Sequence, residues 1–456
     1  MNYEQLGDRC LEWNKKVLGK VESIQKVNVC GKVKRVVGTL IEAKIPATKI
    51  GELCEISADK DNGKIVLAEV IGFSEDAVIL SALTRLEDLY YDCDVKPLGS
   101  KHSIIVDENT MGMVLDGMGR DLRTGSGGIF CSGEIDDDLP ITPVMSEAVA
   151  ATEKPRITDV LTTGVKSLDT FITFGEGQRI GLFAGAGCGK TTLLASIARG
   201  CSADYVVFAL VGERGRELKE FLDHELDPEL LKRTILVCST SDRSSMERSR
   251  AAFTATAIAE TLRDQGKKVL LLIDSLTRFA RAQREIGLAS GEPPAKGGFP
   301  PSVYTMLPKL IERAGKTTKG SITAIYTILL EGDSMSDDPV ADEAKSLLDG
   351  HIVLSRDLAE KGHYPAVNVL MSLSRVMDNI VDPSQSKLAR HARMLMAKHK
   401  DLELLIRLGE YQPGEDPLSD EAVQKTPEIM EFLKQGTKEQ YSLQESVTNL
   451  EQIITK

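Results

Sequence analysis

The chain has no long hydrophobic run. No stretch reaches the roughly 18 uncharged apolar residues of a membrane span, and the longest apolar strings, such as Val269–Ile273, have the length of a core strand. The opening, MNYEQLGDRC, lacks a basic segment followed by an apolar one, so no secretory signal is expected there. Cysteine is sparse and unpatterned. The eight cysteines, at 10, 30, 54, 93, 131, 188, 201 and 238, form no CxxC pair and no zinc spacing. Reduced thiols in a cytoplasmic protein are therefore expected, several of them buried in strands. Excess positive charge is also missing: 56 Lys and Arg face 68 Asp and Glu, a formal charge of −12. That argues against a nucleic-acid binder relying on phosphate neutralisation, although a local basic groove stays open. What remains, 42% hydrophobic and 27% charged over 456 residues, fits two or three ordinary globular domains.

The hydrophobic period changes along the chain. Tyr3, Leu6, Cys10, Trp13 and Val17 are spaced by three and four, which predicts a helix over 1–19 with one apolar face. Such a face binds a partner or packs back on the next domain. Val33–Ile45 and Ile65–Leu80 are short β-branched runs broken by Gly38, Pro46, Gly51 and Gly72, which predicts a small closed β-barrel over 22–95. After a glycine-rich stretch, Arg179–Phe183, Tyr205–Val211, Thr234–Cys238, Val269–Ile273 and Ser321–Leu329 are continuous apolar runs separated by helical patterns. They predict a parallel sheet covered on both faces. Helical patterns then dominate over Gln385–Leu408, Pro427–Gln435 and Leu443–Ile454. The expected division is an N-terminal helix at 1–21, a barrel at 22–95, an α/β domain at 96–365 and a helical domain at 366–456.

Ala184-Gly-Ala-Gly-Cys-Gly-Lys-Thr191 follows the first of those strands and opens a helical stretch, Thr192–Arg199. This is the strand–loop–helix context of a phosphate loop. Gly185, Gly187 and Gly189 let backbone N–H groups converge on phosphate oxygens, and the helix N-terminus adds partial positive charge. Ala186, Cys188 and Thr192 complete the expected binding stretch. Lys190 is placed to reach the β- and γ-phosphates of ATP, and the Thr191 hydroxyl to ligate Mg²⁺. Ala184 replaces the usual first glycine, but a small residue still permits the turn.

Two further clusters carry charge at strand ends. Leu270-Leu-Leu-Ile-Asp274 puts a carboxylate where a parallel sheet faces its ligand crevice. There Asp274 either helps hold Mg²⁺ or caps the turn that Ser275 begins. Gly212-Glu-Arg-Gly-Arg-Glu217 follows another strand. Its first carboxylate can orient an attacking water and the next guanidinium can touch the γ-phosphate, or the run is a solvated helix start.

Together with GEGQRIGLFA (175–184) and LLLIDSLTRFARAQREIGLASGEPP (270–294), these motifs resemble the rotary ATPases, the superfamily of the ATP synthase catalytic chain. GFPPSVYTMLPKLIERAG (298–315), GSITAIYTILLEGDSMSDDPVAD (320–342) and LLDGHIVLSRDLAEKGHYPAVNVLMSLSRVM (347–377) look like the export ATPases of flagella and injectisomes. GKVKRVVGTLIEAKIPATKIGELCEI (31–56), AEVIGFSEDAVIL (68–80) and FLKQGTKEQYSLQESV (432–447) are similar to the flagellar branch, with the injectisome branch as the alternative.

The resemblance implies an ATP hydrolase for protein export. It implies roles for Lys190 and Thr191 on phosphate and Mg²⁺, for Asp274 beside the metal, for Glu213 on water and for Arg214 on the γ-phosphate. It also implies that Arg375 is an arginine finger delivered to a neighbouring subunit and that Tyr364 packs on adenine. One chain holding both glutamate and finger implies a head-to-tail homo-oligomer, and the family implies six subunits. Other implied partners are a stator-like regulator at the N-terminus, a central stalk protein, export-gate membrane proteins, and cargo with its chaperones, all at the cytoplasmic face of the membrane. Met113 and Asp121, in GMVLDGMGRDLRT (112–124), depart from the family's usual arginine and proline. A ring RNA translocase shares this core. It needs aromatics and a basic track in the barrel, and 22–95 holds only Phe73, Tyr90 and Tyr91 with mixed charge.

Overall fold

The computed structural model describes residues 13, 30–57, 65–84, 86, 89–125, 127–131, 140–330, 332 and 338–455. Apart from Trp13, the expected N-terminal helix and its apolar stripe lie outside the described residues. No helix among the described residues is long and apolar enough to cross a membrane.

Six strands close the expected barrel: β1 (Gly31–Val37), β2 (Leu40–Lys44), β3 (Glu52–Ser57), β4 (Ile65–Phe73), β5 (Val78–Ala82) and β6 (Asp94–Lys101), in the order β1-β2-β5-β4-β3-β6, with β6 returning to β1. Closure leaves no free strand edge. The barrel is filled by Ile41, Ile56, Val66, Leu80 and Val95. It seats on the next domain through two kinds of contact. Leu53, Leu67 and Leu83 pack against Met118 and Met246, and Glu69 forms a buried ion pair with Arg250.

The central sheet is built from β7 (Arg179–Ala184), β8 (Tyr205–Glu213), β9 (Thr234–Thr240), β10 (Lys268–Asp274), β11 (Ser321–Leu329), β12 (Gly350–Val353) and β13 (Leu373–Ser374). Its order is β13-β12-β7-β11-β10-β8-β9, and Val114–Leu115 adds to the β9 edge. From β12 to β9 all pairs are parallel, while β13 runs antiparallel to β12. The five core runs of the sequence are β7 to β11; Ser321–Leu329 matches its strand and the other four are extended by one or two residues at their ends. The sheet continues past residue 365, because β13 forms its far edge. The order matters for the site. β11 stands between β7 and β10, so the carboxyl ends of β7, β10 and β8 open onto one crevice.

Helices cover both faces: α1 (Lys166–Phe171), α2 (Lys190–Gly200), α3 (Gly215–Glu220), α4 (Ser245–Asp264), α5 (Leu276–Ala289), α6 (Pro301–Ile311) and α7 (Pro339–Leu347). The C-terminal domain is α8 (Pro383–Leu408), α9 (Pro417–Leu433) and α10 (Leu443–Thr455). Asp382 caps α8 by accepting from the Ser384 N–H, Pro383 fits the first turn, and Gly409 ends the helix at φ 73°. α9 begins at Pro417, capped by Asp416, and not at Pro427, which lies within the helix. The cap at Asp416 lies eleven residues before Pro427, where the expected helix begins.

Candidate active site

The phosphate loop turns on two glycines in the left-handed region, Gly187 at φ 80° and Gly189 at φ 78°. A side chain at either would be strained, so glycine is required. Gly189 caps α2, whose first residue is Lys190. The free amides of that helix start face the crevice beyond β7. Gly187, Gly189, Thr192 and Tyr364 line one cleft of about 330 Å³, together with Gln435 and Thr437 from the segment after α9. Cys188 is buried, and Gly185 and Ala186 face a different hollow beside Arg356 and Lys400.

Thr191, Glu213 and Asp274 line a second cleft of about 480 Å³ on the other side of Lys190. Lys190 joins the two acids. Its Nζ donates to Asp274 Oδ1 at 2.5 Å and lies 3.7 Å from Glu213 Oε1. Asp274 is nearly buried and also accepts from the Thr327 hydroxyl of β11 at 2.8 Å. Burial raises the Glu213 pKa above the ordinary carboxylate range, and the nearby Glu217 carboxyl adds to the rise, while Lys190 and Arg278 oppose it.

The residues fit a magnesium nucleotide. A cationic ammonium already rests against the Asp274 carboxylate, and Thr191 lines the same cleft as Asp274. Hard oxygen donors of this kind, few in number, suit Mg²⁺ that keeps its waters and phosphate ligands.

Three expected residues are placed differently from the core of the site. Arg214 has an exposed guanidinium 3.7 Å from Glu217 and lines neither cleft. Arg375, just after β13, is exposed at the sheet edge, its Nη2 3.5 Å from Lys345 O. Tyr364 is half exposed, with its ring over Gly189 and the segment after α9 alongside. The residue that sequence reasoning missed is Arg278. It pairs directly with Glu213, and its Nη1 donates to Gly212 O at 3.0 Å. The available signal was its place in the first turn of α5, four residues after Asp274 and just past the Ser275 cap. That geometry aims it toward the strand next to β10.

Comparisons with known proteins place the whole chain beside relatives of one family. Residues 164–374 match the ATP synthase alpha/beta family nucleotide-binding domain, 33–99 its beta-barrel domain, and 381–452 the T3SS EscN ATPase C-terminal domain. The chain is 54% identical to a type 3 secretion system ATPase of Pseudomonas savastanoi pv. phaseolicola, over 98% of each chain. It is 45% identical to the flagellum-specific ATP synthase of Bacillus subtilis, over 92% of this chain and 94% of that one. Among solved structures, the assembled ATPase EscN of the enteropathogenic E. coli type III secretion system is similar at 44% identity and a TM-score of 0.84, covering 93% of this chain and 100% of that one. The same ATPase in complex with its central stalk EscO gives a TM-score of 0.83 at the same identity and coverage. With its barrel, phosphate-loop domain and helical domain all matched, the chain belongs to the type III secretion ATPase family, a branch of the ATP synthase alpha/beta family, and is an ATP-binding ATPase of protein export.

Proposed function

We propose that this chain hydrolyses ATP for a non-flagellar type III secretion system, as a ring of identical subunits. The observation that carries the reading is the convergence of Lys190, Glu213, Asp274 and Arg278 at one crevice, with Arg375 held away from it on an exposed edge. Such a site is complete for binding and incomplete for chemistry until a neighbour supplies a cation. Glu213 orients a water in line with the γ-phosphorus and accepts its proton, Lys190 moves from Asp274 onto the phosphates, and Arg278 keeps Glu213 ionised. Thr191 and Asp274 would hold Mg²⁺, which would supply charge neutralisation at the phosphates. Tyr364 packs against the base. Arg375 of one subunit reaches the next subunit's nucleotide, and head-to-tail repetition closes the ring, six-membered by analogy with the family.

The motifs at 31–56, 68–80 and 432–447 resemble the flagellar branch. The identities instead favour its alternative, with 54% to a relative named for type 3 secretion against 45% to the flagellum-specific one. The EscN–EscO complex supports a central stalk partner for the helical domain. Consistent with that role are a cytoplasmic ring docked at the membrane face, a stator-like regulator at the N-terminus, export-gate proteins, and cargo with chaperones.

Two measurements test the reading. ATPase activity per subunit should rise cooperatively with protein concentration, and Arg375→Ala should lower kcat by about 10³-fold or more while ATP still binds. An Arg375→Ala protein of normal kcat removes the shared site. A strain lacking the chain should stop secreting effectors yet swim, whereas a non-motile strain that still secretes returns the chain to the flagellar branch.

A further inference from the structure

The segment Met371–Arg375, which ends in the exposed arginine, is held at three sets of contacts, two from the central domain and one from the C-terminal domain. The sheet holds it through the Arg375 N–H, which donates to Asp349 O at 3.0 Å, and through Ser374, whose hydroxyl donates to Thr173 O at 2.9 Å and accepts from Gln178 Nε2 at 3.1 Å. The ring of His351 on β12 holds Met371 O at 2.9 Å from Nε2. The third hold comes from the C-terminal domain. Arg393 on α8 donates from Nη1 to Ser372 O at 3.0 Å and from Nη2 to Phe171 O at 2.8 Å.

Arg393 is a costly way to fill that position. Burial lowers its pKa, and no carboxylate among the described residues offsets the desolvation. A helix that only needed packing there would use Leu or Met, as α8 does at Leu395 and Met396. Both arms of the guanidinium go to backbone carbonyls of different elements, the end of α1 and the finger segment. That fork ties three elements at a fixed angle, which a single-point lysine contact does not. α8 is one continuous helix of 26 residues, so Arg393 and the far end of the helix move as one rod. The far end shows Leu404, Leu405, Ile406 and Leu408 to solvent.

We propose that Arg393 is a positioning residue for the arginine finger, registering the segment that carries Arg375 to the C-terminal helical domain, so that tilting α8 repositions the finger offered to the neighbouring nucleotide. The proposal rests on the reading of Arg375 as a finger acting in the next subunit. It makes the angle of α8 in one subunit a control on hydrolysis in another.

The test uses the full-length assembled protein. Arg393→Gln should lower kcat about 10-fold to 100-fold, the scale of a displaced catalytic group, with KM for ATP within about twofold of the parent. A loss of packing alone would damage the subunit that carries it, whereas a misplaced finger damages only its neighbour's site. Arg393→Gln is therefore mixed with Lys190→Ala, whose finger is intact and whose own site is dead. Activity of the mixture above either parent supports the proposal. The same mixing with Arg375→Ala is the reference. Recovery there without recovery for Arg393→Gln overturns the positioning role alone, and no recovery in either mixture overturns the shared finger. Arg393→Lys goes through the same assay, so a poorly folding Gln variant does not end the test. An Arg393→Gln ring with unchanged kcat also overturns the proposal.

Discussion

His102 makes the stability of this molecule depend on pH in a way that can be calculated. It follows the last barrel strand and is almost fully buried. Its Nε2 lies 2.9 Å from Met118 O, Nδ1 has no hydrogen-bond partner among the described residues, and its ring rests against Phe130 at 5.4 Å between centroids. Burial, reinforced by the guanidinium of Arg250, lowers its pKa from 6.5 to about 3. The folded protein therefore keeps the imidazole neutral, while the unfolded chain protonates it below pH 6.5. Between those two values the unfolded state binds one more proton, so stability falls as pH falls. From pH 7 to pH 5 this single group withdraws about 2 kcal/mol. His102→Gln keeps an N–H for Met118 O but does not titrate. Urea midpoints at pH 7 and pH 5, followed through barrel unfolding, should drop further for the parent than for His102→Gln, by about that free energy. Equal drops in both proteins would refute the argument.

Arg278→Gln removes the guanidinium that opposes burial at Glu213. Glu213 must be ionised to take a proton from water, so the acid limb of the kcat–pH profile should move to higher pH, and Arg278→Lys should move it less; an unmoved limb would place the role of Arg278 elsewhere. Arg313 is fully buried, donates from Nη1 to Val144 O at 2.7 Å and pairs with Glu260 through Nε and Nη2. Arg313→Met strands the Glu260 carboxylate and should cost about 3–5 kcal/mol, read as a lowered thermal midpoint.

The fold was legible where one strand or one helix is decided by its own residues. Ser321–Leu329 and Leu443–Ile454 needed only their apolar period, and the phosphate loop only its glycines and Lys190. Legibility failed where a second element decides. Barrel strand β6 runs on to Lys101 because β3 offers a ladder there, which no local pattern announces. Pro427 reads as a boundary until Asp416 is found capping the helix earlier. In the site, Glu213 and Arg214 are adjacent in sequence, yet they part at the end of β8. Glu213 stays buried with the strand, and Arg214 begins an exposed helix. The arginine that pairs with Glu213 comes instead from α5, because β10 lies beside β8 in the sheet. The sequence holds two other arginines on α5, Arg281 and Arg284; the place of Arg278 in the first turn, together with the sheet order, singles it out.

The proposed function turns on Glu213 acting on water beside a phosphate held by Lys190. Rapid-mixing single-turnover hydrolysis by Glu213→Gln, with ATP affinity measured on the same preparation, tests this directly. The amide keeps the size of the side chain and loses the base. The expected result is affinity within a few-fold of the parent and a cleavage rate lower by about 10²–10⁴-fold, the range of a general base. Cleavage at the parental rate would contradict the account.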